Sequence, residues 1–321
     1  MTATAHPCTA RPGTHQGTGY RHQAVLWRDL DSYLGAAVPF VRDGLAAGSP
    51  VMVVVTDDQW VPLRHALGPD AADVEHADMA VLGRNPARII PAWLDFVARH
   101  PGVPLRGISA PVWAGRRPAE LVECQIHEAV LNLAVPSETP LRLLCPYDAQ
   151  SLPAGVLAEA RLSHPELLGE DPTRSSATYA GPDRCAALAA QPLTPPTGPV
   201  TRLPFAHGRL GGLRRLTAEH AAAAGVGRAT ADDLALALSE LASNSIDHGG
   251  GSGVLSTWRD ADALYFEVHD AGHIDDPLVG RRNPTPHQAR GRGLWMVNRL
   301  CDLVQIRSDA DGTVVRVVTW L

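Results

Sequence analysis

The run Val51-Met-Val-Val-Val constrains this chain more than any other segment. Successive side chains of a strand point to opposite faces, so an all-apolar run leaves neither face for water. Such a run belongs inside a sheet that is covered on both sides. Further short runs at residues 23–27, 74–78, 105–109 and 141–145 read as strands. Stretches of helical spacing separate them, at 31–47, 60–67, 86–100, 119–134 and 154–163. Strands alternating with helices predict a doubly wound α/β domain with a parallel sheet.

From about residue 170 the pattern dissolves into Pro, Ala, Gly, Thr and Ser, as in Ala-Ala-Gln-Pro-Leu-Thr-Pro-Pro-Thr-Gly-Pro. A segment so poor in large apolar residues reads as a proline-stiffened linker. The expected division is a first domain over 21–180, a linker over 181–199 and a second domain over 200–321. The second domain is expected to hold a strand at 201–205, helices at 210–224 and 231–247, and strands at 253–259 and 264–269. A Pro/Arg-rich loop (274–290), a helix (293–301) and two strands (303–308 and 313–320) complete it. Asp311-Gly312 is a hairpin turn signal between the last two strands. Helices on one face of a mostly antiparallel sheet predict an α+β sandwich.

The chain has no lysine; all 28 of its Lys+Arg residues are arginine. A Walker A loop and a protein kinase of the eukaryotic type both need a lysine on the phosphates, so neither is expected. A net charge of −6 carries no footprint for nucleic acid and no polybasic membrane patch. The five cysteines are scattered without a Cys-x-x-Cys pair, which suits reduced thiols. No signal peptide is evident, and no apolar run approaches the ~18 residues of a membrane helix. The expected location is the cytoplasm.

Three segments of the second domain carry chemistry. Glu240, Asn244 and His248 stand four apart on one helix face, in Leu-Ser-Glu-Leu-Ala-Ser-Asn-Ser-Ile-Asp-His-Gly. An amide oxygen such as that of Asn244 is a neutral hard ligand for Mg²⁺. A glutamate one turn earlier suits a base for an attacking hydroxyl. Asp270 and Gly272 leave a strand, where the carboxylate can accept from an adenine amino group and the glycine admits a close backbone approach. Arg290-Gly291-Arg292-Gly293-Leu294 opens a helix, where bare N–H groups, the helix dipole and arginines suit phosphate. Taken singly, each segment also fits a solvated helix face, a common turn or a glycine N-cap.

In this order and spacing the segments resemble the nucleotide-binding domain shared by histidine kinases, gyrase, Hsp90 and MutL-type proteins (the GHKL superfamily). The resemblance covers residues 200–321. Glu240 and Asn244 match its N box, Asp270 and Gly272 its first glycine box, and Gly291 to Gly293 its second. It implies ATP and Mg²⁺ as cofactors, Asn244 as the metal ligand and Asp270 on adenine. His248, Arg290, Arg292 and Leu294 would complete the site, with Thr313 near the adenine-side aspartate. Three departures stand out. Ile274 occupies the place of a second glycine, Asp247 that of a basic residue, and the lid is short, with basic residues Arg281, Arg282, Arg290 and Arg292.

A histidine autokinase needs a phosphoacceptor histidine on a dimerising hairpin. His207 and His220 lie in no coiled-coil pattern. The large ATPases of the superfamily carry a transducer domain after the site, and this sequence stops at Leu321. The expectation is therefore a compact anti-sigma-factor type of Ser/Thr protein kinase. By that resemblance it binds a sigma factor or phosphorylates an anti-sigma-factor antagonist, with Glu240 as base. A homodimer is compatible with it. A non-catalytic ATP-dependent binding module and a histidine kinase-like sensor remain the alternatives.

The first domain has no glycine-rich turn and no Lys-Ser/Thr after its first strand, so it lacks a phosphate cradle. Phe40 to Val55, Glu123, His127 and Cys145-Pro-Tyr-Asp resemble the MEDS sensory domain of the dichloromethane regulator and related bacterial proteins, a RecA/KaiC-like fold without a P-loop. The resemblance implies sensing of a small-molecule ligand. Open parallel sheets bind ligands beyond their carboxyl ends, a rim that would include Asp29, Thr56, Ala110 and Tyr147. Glu123 and His127 share a helix face, and with Cys145 they admit either a metal or haem site or ordinary packing and hydrogen bonding.

Overall fold

A strand buried on both faces needs helices on both faces, and β2 shows how this chain supplies them. The computed structural model describes residues 19–169, 174–208, 210–284 and 292–321. The first domain runs β1 (Arg21–Trp27), α1 (Leu30–Ala46), β2 (Val51–Val55), α2 (Asp57–Leu67), β3 (Val74–Asp78), α3 (Met79–Leu82), α4 (Ile89–Arg99), β4 (Leu105–Ser109), α5 (Pro118–Ala134), β5 (Leu141–Asp148), α6 (Ala154–Ser163), β6 (Glu166–Leu168) and β7 (Arg174–Ser175). Val51, Val53 and Val55 of β2 pack with Tyr33 and Val41 of α1 and Leu63 of α2. Met52 and Val54 face the opposite cluster, with Trp93 and Phe96 of α4 and Val130 of α5. This two-sided burial is what an uninterrupted apolar run requires.

The sheet order is β3-β2-β4-β5-β1-β6-β7, parallel except for the β6–β7 pair. The expected α/β architecture holds. β6 and β7 extend it beyond the five expected strands, being too short to show a pattern of their own. The segment read as a linker carries a seven-residue helix, α7 (Asp183–Ala189), whose Cys185 and Leu188 are buried. Residues 170–173 lie outside the description.

The second domain runs β8 (Thr201–Ala206), α8 (Leu210–Ala223), α9 (Arg228–His248), β9 (Ser252–Arg259), β10 (Ala263–Asp270), α10 (Gly293–Leu300), β11 (Leu303–Asp309) and β12 (Gly312–Trp320). Its antiparallel sheet has the order β11-β12-β10-β9-β8. Leu264, Phe266 and Val268 of β10 alternate inward against Leu234, Leu238 and Leu241 of α9 and Val297 of α10. This is the expected α+β sandwich.

The sheet face away from these helices turns to the linker and the first domain. Arg316 donates to Glu267 and to the carbonyl of Thr194, and Arg117 lies over the Trp320 ring. Arg88 closes the C-terminal end of α10 from the first domain. Its guanidinium donates to the carbonyls of Asn298 (2.8 Å), Arg299 (2.6 Å) and Cys301 (3.1 Å). Those carbonyls have no partner inside the helix, and a cation there also suits the helix dipole. Asn85 donates to Asn298, and Arg84 pairs with Asp302. No described helix is long and apolar enough to cross a membrane.

Candidate nucleotide site

The last turns of α9 organise the site. Leu234, Leu238 and Leu241 fix the helix to the sheet, which leaves Glu240 and Asn244 half-buried on the neighbouring face. Gly293, the first residue of α10, lies against both. A Cβ at Gly293 would stand 3.2 Å from Glu240 Oε2 and 3.2 Å from Asn244 Nδ2. The start of α10 is thus a backbone surface pressed onto the Glu240 and Asn244 side chains. The structure brings Glu240, Asn244 and Gly293 together.

One residue beyond Asn244, Ser245 links this group to the strand end. Its hydroxyl donates to Asp270 Oδ2 at 2.5 Å, and the Gly272 amide donates to Asp270 Oδ1 at 2.8 Å. Thr313 sits opposite Asp270 in the β10–β12 ladder, and its hydroxyl donates to the Gly272 carbonyl at 2.9 Å. The Ser308 and Thr313 hydroxyls are also bonded, at 2.9 Å. Gly312, at φ +126, passes so close that a Cβ would lie 2.1 Å from the Asp270 carbonyl oxygen. A side chain is excluded there by conformation and by space alike. Each Asp270 oxygen holds one donor and keeps a lone pair for another.

A groove of ≈ 650 Å³ opens beside Asp270, lined by Phe205, Gly249, Gly250, Gly253, His269 and Ala271 among others. It does not reach Glu240 or Asn244, against which Gly293 is packed. Among the described residues, Asp270 is therefore joined to the Glu240–Asn244 group through Ser245 and not through the groove. His248 is exposed at the end of α9. Leu294 is 8% exposed and belongs to the core, so only its backbone is free to serve a ligand. Arg292 is exposed, whereas Arg290 and Gly291 lie outside the described residues.

One reading from sequence needs correction, and one left open is decided. Arg281, counted among the basic residues of the lid, is buried and faces Glu123 of α5 at 3.6 Å. Glu123 also accepts from Arg307 at 3.0 Å. Glu123 thus serves the domain junction and does not join His127 and Cys145. His127 is fully buried with neither ring nitrogen hydrogen-bonded, and burial holds its pKa down at about 3. Cys145 instead meets His22, Glu128 and His164. On a helix of 3.6 residues per turn the carboxylate that faces β5 is Glu128, not Glu123. His22, beside Gln23 at the start of β1, was the available signal for this cluster. The rim residues take ordinary roles: Asp29 caps α1 with Ser32, Thr56 precedes α2, and Ala110 and Tyr147 are buried.

The donor set fits Mg²⁺-ATP. A neutral amide oxygen, a carboxylate and a bare helix start meet at one end, with an anchored aspartate beside a groove at the other. Residues 203–319 match the family described as the histidine kinase-like ATPase domain. Residues 21–165 match the family MEDS, the methanogen/methylotroph, DcmR sensory domain. Among solved structures, the chain is similar to the RsbU and RsbW domains of Rv1364c from Mycobacterium tuberculosis. That match has 19% identity and a TM-score of 0.29, over 38% of this chain and 32% of that one. The chain thus spans about a third of that structure's length. No curated protein matches the chain.

Proposed function

Because the chain joins a MEDS domain to a histidine kinase-like ATPase domain, we propose that it is a cytoplasmic signalling regulator. In this reading a ligand-sensing first domain controls an ATP-binding Ser/Thr protein kinase domain of the anti-sigma-factor type. That domain phosphorylates or sequesters a regulatory partner, a sigma factor or its antagonist. The observation that carries the reading is the meeting of Glu240 and Asn244 with the bare backbone of Gly293. Bound Mg²⁺-ATP supplies the phosphoryl group. Asn244 would hold the metal, Asp270 the adenine amino group, and Arg290 and Arg292 the phosphates. Glu240 would take the proton of the partner's Ser or Thr hydroxyl. The clamp of Arg88 on α10 supports coupling, because α10 begins at the proposed phosphate site and ends on the first domain.

A second reading, a binding module without phosphotransfer, is favoured by Asp247, an exposed acid where the superfamily often has a base. Calorimetry with an ATP analogue and Mg²⁺, followed by labelled ATP with candidate antagonists, separates the two. Glu240→Ala should lower transfer by roughly 10²–10⁴-fold with ATP binding retained. Undiminished transfer removes Glu240 as the base. Tight Mg²⁺-dependent binding with no transfer to any candidate selects the binding module.

A further inference from the structure

The first domain holds four ligating side chains that the proposed function leaves unused. His22 of β1, Glu128 of α5, Cys145 of β5 and His164 after α6 bring one ligand atom each to within 4.8 Å of one another. His22 and Glu128 are 1% exposed, and Cys145 and His164 are 0% exposed. The sheet builds half of the cluster. β1 and β5 are parallel neighbours in which Ala24 pairs with Cys145, so His22 and Cys145 stand two residues apart on one face.

The hydrogen bonds around the cluster fix both imidazole tautomers. The Asn132 amide nitrogen donates to the carbonyls of Glu128 and Ser163, which leaves its oxygen to accept from His22 Nδ1 at 2.9 Å. His164 Nδ1 donates to the Ala160 carbonyl at 2.8 Å. Both Nε2 atoms are therefore bare in the neutral rings, and both face Glu128 Oε2, at 3.0 and 3.3 Å. His164 Nε2 and Glu128 Oε1 have no hydrogen-bond partner. Cys145 Sγ lies 3.3 Å from His22 Nε2 and 3.8 Å from Glu128 Oε2. Lone pairs aimed at a carboxylate need a positive centre among them. One proton answers one of these contacts; a cation answers all four.

We propose that His22 Nε2, His164 Nε2, Glu128 Oε2 and Cys145 Sγ bind one borderline-soft divalent cation, zinc above all. The donor types are those of zinc, and the Nδ1–H bonds to Asn132 and Ala160 are the outer partners that metal-bound histidines require. Tetrahedral Zn–N and Zn–S bonds place neighbouring ligand atoms roughly 3.3–3.6 Å apart, close to the four distances here. Two neutral imidazoles, a carboxylate and a thiolate neutralise the ion, so the buried site carries no net charge. The Cys145 thiol proton leaves to solvent as the S–Zn bond forms. Four protein ligands close the coordination shell, which makes the site structural: it ties β1, β5, α5 and the chain after α6 into one unit.

The test is the metal content of the full chain, expressed with zinc and gel-filtered, read by plasma mass spectrometry. About one zinc per chain is expected for a single closed site. Cys145→Ser and His164→Gln should each lose it, whereas His127→Gln, a buried neighbour outside the cluster, should keep it. X-ray absorption of the wild-type zinc form keeps the test decisive if the ligand variants fail to fold. It should show one sulfur and two imidazole ligands. A wild-type chain that takes up neither zinc nor cobalt overturns the proposal. So does metal retained by both ligand variants, or a zinc spectrum with no sulfur.

Discussion

His22, Glu128, Cys145 and His164 converge under the sheet of the first domain, where none is more than 1% exposed. Glu240, Asn244 and Asp270 converge at one end of the second sheet, where all three are half-buried. The two groups use the same kinds of side chain to opposite ends. Polar atoms sealed from water must satisfy one another, so the first cluster is bound up with stability. Polar atoms at an edge keep lone pairs for a visitor, so the second group is suited to exchange. Asp270 shows this most directly, with one donor on each oxygen and room for another.

The comparison breaks most easily at Glu128. Glu128 is 1% exposed, and its Oε2 lies 3.0 Å from His22 Nε2 and 3.3 Å from His164 Nε2, both equally sealed from water. Glu128→Ala leaves those partners sealed and uncompensated, and should cost the first domain about 3–5 kcal/mol. The corresponding Glu240→Ala should move stability by less than about 0.5 kcal/mol, as at an open site. Thermal unfolding followed by circular dichroism reads both. Equal shifts for the two variants would erase the distinction.

Acid should separate the domains next. Burial keeps His127 neutral in the folded chain, with a pKa of about 3 against an ordinary 6.5. Below pH 6.5 the unfolded chain takes up this proton and the folded chain does not. This contribution is therefore fully present above the ordinary value and is lost as pH falls from 6.5 towards 3. The slope from one such group is at most roughly 1.4 kcal/mol per pH unit. Unfolding midpoints of the full chain between pH 7 and pH 4 should fall more gently in His127→Gln. An unchanged slope would mean that His127 is protonated when folded.

How far the sequence foretold each region follows the range of the contacts. Val51 to Val55 declared a two-sided strand because the signal lies within five residues. The N box, the strand-end aspartate and the glycine turn were legible because their order along the chain is itself a pattern. The metal-type cluster was not. His22 meets Cys145 only because β1 and β5 are neighbours, and that depends on a sheet order no local pattern states. The same holds for Glu123, whose partners Arg281 and Arg307 lie in the other domain.

Between the two regions stands the Arg88 clamp, and Arg88→Ala tests whether they communicate. The change strips a cation from three carbonyls at the end of α10. Hydrogen bonds to a charged group contribute about 1.5–3 kcal/mol, so the cost should be near 2 kcal/mol. Hydrogen exchange should show faster opening of α10 with the first domain unchanged. If α10 keeps its protection, the domains do not couple through this helix.

The smallest effect is the sharpest, because two observables should move in opposite directions. Gly293→Ala adds a Cβ that would lie 3.2 Å from both Glu240 Oε2 and Asn244 Nδ2. Those side chains can give by a few tenths of an ångström, since both are half-buried and neither is locked in the core. Alanine is also the better helix former, by up to ~1 kcal/mol at an interior position and by less at a first residue. Stability should therefore hold or rise slightly. Affinity for Mg²⁺-ATP should fall by about tenfold, equivalent to ~1.4 kcal/mol, because the crowded residues are those proposed to hold metal and nucleophile. Calorimetry and thermal unfolding on the same preparation decide the matter. Affinity that stays level would place the phosphates away from Gly293, and the meeting of Glu240 and Asn244 with α10 would then be packing alone.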